Sequence, residues 1–176
     1  MAQPAFVLES SAFAEGETIP AVHTLEGLNL SPPLRWSGEP AATQSLALVV
    51  DDPDAPMGLW QHWLLFNIPA ELHALPAGLE RSAELANGCR QGLCWGVETF
   101  DRLGYQGPQP PPGRLHRYRF SLYALDQQLP LPGGCQVFDL QSAMAGHVLA
   151  QTTLTGLYGE ASKPLQSSGE PCQVSS

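Results

Sequence analysis

Basic residues are scarce in this chain: eight Lys and Arg stand against seventeen Asp and Glu in 176 residues, a formal net charge of -9. That balance speaks against non-specific nucleic-acid binding and against adhesion to an anionic membrane, since both need clustered cations. Charged residues of either sign are only 14% of the whole. The four cysteines, Cys89, Cys94, Cys135 and Cys172, form neither a C-x-x-C redox pair nor paired zinc-knuckle spacing, so they are expected to be reduced and structural. No apolar run is long enough to span a bilayer as a helix, so no integral membrane segment is expected. The opening residues, MAQPAFVLESSAF, lack a basic stretch followed by an apolar one, and a cytoplasmic location is the expectation. No G-x-S-x-G elbow and no H-E-x-x-H pair occurs, which leaves nucleophilic hydrolysis and zinc catalysis without their usual signatures.

Gly and Pro are plentiful instead, at 17 each, alternating with short apolar runs. This suits a loop-rich, mainly β domain better than a helical bundle. A single domain is expected over residues 1–160, with 161–176 as a flexible, Ser-rich tail. Ala5 to Phe13 reads as an edge strand, which Thr18 to Val22 extends, and Leu34 and Trp36 should share one face of an extended segment. Leu46 to Val50 is apolar on both faces, as a central strand covered on both sides should be. Pro53 ends it, holding Asp51 and Asp52 at its rim near the surface. Gln61 to Ile68 is a second such run with His62 near its start, so antiparallel pairing would bring Asp52 and His62 together. Glu80 to Ala86 suggests a short helix. From His116 to Leu125 the alternation sets His116 and Tyr118 on one side, and Asp139 to Ala150 reads as a helix capped by Asp139, followed by a strand over Gln151 to Tyr158.

The chemistry-bearing residues thus converge on Asp52, Asp54, His62, His116 and Tyr118. In an anion-binding arrangement Asp52 would orient His62, while His116, Tyr118 and backbone amides of the loop at Gly107 would donate hydrogen bonds. Arg102, Arg114, Arg117 and Arg119 would lie nearby. A hydrolase-like or metal-assisted enzyme using His62 and Asp52 is the alternative. Anion affinity should rise as pH falls through about 6.5, where imidazole becomes a cation.

Asp52-Pro53-Asp54-Ala55-Pro56, Trp60-Gln61-His62-Trp63 and Gly107-Pro108 followed by Leu115-His116-Arg117-Tyr118 resemble motifs of the phosphatidylethanolamine-binding protein family. Asn29-Leu30-Ser31-Pro32-Pro33-Leu34, Pro110-Pro111-Pro112-Gly113 and Ala143 to Ala150 are similar to its bacterial branch, the Raf kinase inhibitor-like proteins. The resemblance implies a β-sandwich with a few peripheral helices, one of them near the C-terminus. It implies a pocket for phosphate-type or other small anions lined by Asp52, Asp54, Pro56, His62, Gly107, Pro108, His116 and Tyr118. A non-enzymatic binding module follows, without catalytic residues, metal or cofactor. The same likeness implies a homodimer, and kinase or protease inhibition is known for some relatives, whose partners do not transfer to this chain. Two departures stand out: Gln109 occupies a position where bacterial relatives commonly carry Cys, and Asn87 to Phe100 differs from the usual loop.

Overall fold

In the computed structural model, which describes residues 2–94 and 102–160, ten strands and one α-helix follow in order. They are β1 (Val7–Glu9), β2 (Leu34–Ser37), β3 (Ser45–Asp52), β4 (Trp60–Pro69), β5 (Ala74–Leu75), β6 (Arg90–Gln91), β7 (Leu93–Cys94), β8 (Arg102–Leu103), β9 (Leu115–Leu125), α1 (Val137–Met144) and β10 (Val148–Gly159). One 3-10 turn spans Ala21–His23. All pairings between these strands are antiparallel. A five-stranded sheet has the order β10-β9-β3-β4-β6, a three-stranded sheet the order β1-β2-β5, and β7 pairs with β8.

The two-sided apolar character of β3 matches its place: it lies between β4 and β9, and all eight of its residues are buried. Leu46, Leu48 and Val50 pack with Leu8, Leu34 and Trp36 into the core between the two larger sheets. Ala47 and Val49 face the other way, with Leu64, Phe66 and the helix residues Leu140 and Met144. The architecture is a β-sandwich with α1 on the outer face of the larger sheet, and each fully buried Leu in it contributes roughly 1.5–3 kcal/mol.

Two register shifts interrupt the β3–β4 ladder. At the first, Asn67 supplies the extra curvature with a positive φ of 50°, and its amide bonds both the N–H and the C=O of Leu129. At the second, Val50 pairs with Trp63 but Asp51 pairs with Gln61, so His62 is an extra residue on β4. Such a bulge re-aims a side chain relative to the ladder.

Several expected boundaries differ. The helix is Val137–Met144, not Asp139 to Ala150: Gly146 turns the chain at φ 80°, and pairing of β10 with β9 claims the residues from Val148 onward. Asp139 is not the N-cap but sits three residues inside, accepting the Gln136 N–H at 3.2 Å as half of a capping box. The first strand shrinks to Val7–Glu9, and Thr18 to Val22 ends in the 3-10 turn. Glu80 to Ala86 forms no helix; Glu84 bridges Arg90, and the Leu85 N–H donates to the Cys89 carbonyl. Residues 161–176, expected as a tail, lie outside the described residues, as do Cys172 and the end of the Asn87 to Phe100 loop.

Candidate functional site

Proline at position 53 has no N–H for the sheet, so β3 stops at Asp52 and the chain turns. Asp51 and Asp52 are not surface carboxylates: they are 8% and 3% exposed. Asp52 is held from both sides, its Oδ1 accepting the Asp54 N–H at 2.8 Å and its Oδ2 accepting Nδ1–H of His116 at 2.7 Å. The partner of Asp52 is therefore His116 and not His62. Neighbouring β9 brings it there, because β9 is inward-facing at His116, Tyr118, Phe120 and Leu122 and pairs with β3 up to Asp51 opposite Arg119.

His62 is oriented by backbone. Its Nδ1–H donates to the Gln106 carbonyl at 2.7 Å, and the Gln106 N–H donates back to the His62 carbonyl at 2.9 Å. A carbonyl oxygen can only accept, so the tautomer is fixed by the geometry and Nε2 of the neutral ring carries no proton. Burial drives the His62 imidazole below its ordinary range, against the opposing pull of the Gln106 carbonyl and of Asp52 and Asp51. The ring is neutral near pH 7, and the acid window expected for its protonation moves below about 6.5.

Tyr118 sits between the two imidazoles. Its ring centroid is 5.2 Å from that of His62, edge-on, and 6.5 Å from that of His116, nearly parallel. Burial, then the charge of Asp52, pushes its phenol upward, so it stays a neutral O–H.

These groups form the polar end of a cleft of about 490 Å³. Leu25, Ala55, Pro56, Trp60, Pro110 and Pro111 supply apolar wall, with Arg102 and Gln109 also at its lining. The loop from Tyr105 to Pro108 is fastened from behind. Gly107 N–H donates to Asn29 Oδ1 at 2.7 Å, Asn29 Nδ2 donates to Gln106 Oε1 at 3.2 Å, and the Leu25 N–H donates to the Pro108 carbonyl at 3.0 Å. A Cβ on Gly107 would stand 2.4 Å from the His23 carbonyl oxygen. Glycine is needed there for contact with the 23–29 turn, and its amide is already spent on Asn29, so it does not join a cradle as expected. Cys94 lines the cleft too, but its thiol donates to the carbonyls of His62 and Gly104 at 2.9 and 3.0 Å and burial pushes it up to about 12, which keeps it protonated.

With this geometry in view, the comparison with known families is direct. The model of the family described as Phosphatidylethanolamine-binding protein matches residues 9–159. This chain belongs to that family. A UPF0098 protein of Methanothermobacter thermautotrophicus is 46% identical over 151 residues, covering 86% of this chain and 97% of that protein. One from Aquifex aeolicus is 39% identical, covering 85% of each. Among solved structures, a putative phosphatidylethanolamine-binding protein homologue from Chlamydia trachomatis superposes with TM-score 0.78 at 37% identity, covering 89% of this chain and 98% of that one. E. coli YbcL, described as a member of the mammalian family, gives 0.79 at 32% identity, covering 90% and 99%.

Of the residues that the family resemblance singled out, Asp52, Pro56, His62, Gly107, His116 and Tyr118 line one cleft. Asp54 and Pro108 do not. Asp54 faces outward, where the Arg117 guanidinium takes its two oxygens at 2.9 and 3.0 Å and the Arg117 N–H adds a third bond. Those bonds bring its carboxyl down to about 2. Sequence reasoning missed Asn29 and Gln106, which orient His62 and the loop. The signal for Asn29 was its place in the Asn29 to Leu34 motif; its φ of 55°, a conformation Asn tolerates better than most residues, is visible only in the backbone. Of the nearby arginines, Arg102 lines the cleft, Arg117 serves Asp54, and Arg119 pairs with Asp51 at 2.7 Å.

Proposed function

We propose that the cleft binds a small ligand bearing a phosphate-type group, and that the protein works as a binding module, not as a catalyst. One observation carries this reading. Two buried imidazoles flank the Tyr118 phenol at the inner end of an apolar-walled cleft, all three mounted on strands of the main sheet. Groups fixed this firmly lose little entropy on binding, and the apolar wall suits the organic part of a phosphorylated metabolite, a lipid head group or a phosphorylated side chain. The family name, carried by the matching model, supports the same reading.

The alternative, an enzyme in which Asp52 activates His62 or both hold a metal, finds less support. Asp52 has spent both oxygens elsewhere, His62 answers to a main-chain carbonyl, and among the described residues no three His, Cys, Asp or Glu side chains converge as metal ligands would. Calorimetric titration of inorganic phosphate and phosphoethanolamine into the wild type, His62→Ala and His116→Ala tests the proposal. Affinity should fall tenfold or more in each variant, about 1.4 kcal/mol, with circular dichroism confirming that each is folded. Unchanged affinity in both variants would overturn it.

A further inference from the structure

The polar end of the cleft is rich in acceptors and poor in donors. Both imidazoles have committed Nδ1–H, one to the Gln106 carbonyl and one to the Asp52 carboxylate, so each retains Nε2, which in a neutral ring can only accept. The amides of Gln106 and Gly107 are engaged with the His62 carbonyl and Asn29 Oδ1. The Cys94 thiol is directed at two carbonyls. A bare dianion entering beside His62 would meet a ring lone pair, with the buried carboxylates of Asp51 and Asp52 behind it.

Resting on the anion-binding reading above, we infer that the cleft takes a phosphate monoester as its singly protonated monoanion, the P–OH of the ligand donating to His62 Nε2. The remaining phosphoryl oxygens then face the donors still available, the rim side chains of Arg102 and Gln109, since the Tyr118 hydroxyl is engaged with the Asp52 carboxylate. A sulfate ester of equal size has no proton to give, and neither has a phosphodiester. Near neutral pH a phosphate monoester is mostly a dianion, its second pKa being about 6, so its binding draws a proton from solution.

The groups that could instead supply or compete for that proton are few. Around His62 they are Asp51 and Asp52 from β3, Cys94 from β7, Arg102 from β8, and His116 and Tyr118 from β9. Around His116 they are Asp52, Asp54 in the turn after β3, Tyr118, and Tyr158, its register partner on β10. Burial weighs against a cationic His62, so the ligand is the better proton carrier.

The test is calorimetry of phenyl phosphate, phenyl sulfate and methyl phenyl phosphate with the intact chain, in buffers of different ionisation enthalpy, which counts protons exchanged. For phenyl phosphate, uptake should approach one proton per site at about pH 7.5 and fall toward zero near pH 5, following the ligand's second pKa of about 6. Above about pH 7 its apparent affinity should drop about tenfold per pH unit. At about pH 5.5 the phosphate and sulfate are both largely monoanions, and phenyl sulfate and the diester should bind at least ~10-fold more weakly. Equal binding of phenyl sulfate, with or without proton uptake, would overturn the inference while leaving an anion site in place. Phosphate binding without proton uptake at pH 7.5 would overturn it as well. Failure of all three probes would remove the anion-site reading itself.

Discussion

Asp52 and Asp54 stand two positions apart in one turn and have opposite surroundings. Asp52 is buried against His116, whereas Asp54 is partly exposed and clasped by Arg117. The arginine bonds, ahead of the opposing effect of burial, hold the Asp54 carboxyl at about 2. A carboxyl depressed in the folded state adds stability that is present above its unfolded value and fades as pH falls through the folded one. The pair is solvent-screened, so its effect on overall stability is small. The sharper readout is local: in Arg117→Ala, carbon-detected NMR should find the Asp54 carboxyl titrating upward from about 2 toward 3.8. An unmoved titration would mean the turn itself, not Arg117, sets its acidity. Asn29→Ala is the residue-scale test of the loop. It strips the Gly107 N–H of its acceptor and puts a Cβ-bearing residue without amide compensation at φ 55°, costing roughly 1–3 kcal/mol in urea unfolding. Asn29→Gly keeps the backbone conformation and should lose less. If the two variants lose the same, the positive φ contributes nothing.

At the scale of elements, the legible parts were those in which period and burial coincide. The alternation of β9 put His116 and Tyr118 on one face, and the unbroken apolar run of β3 identified the central strand between two packed layers. Where a turn or bulge intervened, pattern misled. Strict alternation in β4 would send His62 to the α1 side with Leu64 and Phe66, yet the extra residue at the second register shift lays its ring against Tyr118. Nothing in a run of apolar letters marks a bulge. The same limitation hid the Asp52–His116 pair, because it depends on β9 being the neighbour of β3 on the side away from β4. The helix was overextended because Ala143 to Ala150 has helical composition, whereas the ladder with β9 takes the residues after Gly146. For the loop element, Gly107→Ala carries its own prediction. With the His23 carbonyl oxygen 2.4 Å and the Thr24 Cα 2.7 Å from the new Cβ, the loop must move, and Gln106 with it. Unfolding free energy should drop by about 1–3 kcal/mol, and ligand affinity should fall along with it, since the His62 tautomer loses its carbonyl. Retained affinity in a destabilised variant would detach the loop from the site.

For the whole molecule, the acidity of the chain and the burial of one histidine push stability in opposite directions with pH. At a net charge of -9 near pH 7, acidification neutralises carboxylates and relieves self-repulsion, which favours the folded state. His62 works the other way. Its folded form holds a proton less readily than the unfolded chain, since burial outweighs the attraction of Asp52 and Asp51. The unfolded state therefore binds more protons below about pH 6.5, and the contribution of neutral His62 is full above that value and is lost as pH falls toward its lowered folded value. Because the two trends overlap in the wild type, the comparison must be with His62→Gln, which offers an amide N–H to the Gln106 carbonyl and never titrates. Urea midpoints of ligand-free wild type and variant, measured from about pH 8 to 5, should differ by a constant amount at the alkaline end. Below about 6.5 the wild type should lose ground to the variant by up to about 1.4 kcal/mol per pH unit. Curves that stay parallel across the range would mean that folded His62 accepts a proton as easily as the unfolded chain does. The cleft would then carry a cation at mildly acid pH, and bare anions would be its natural occupants.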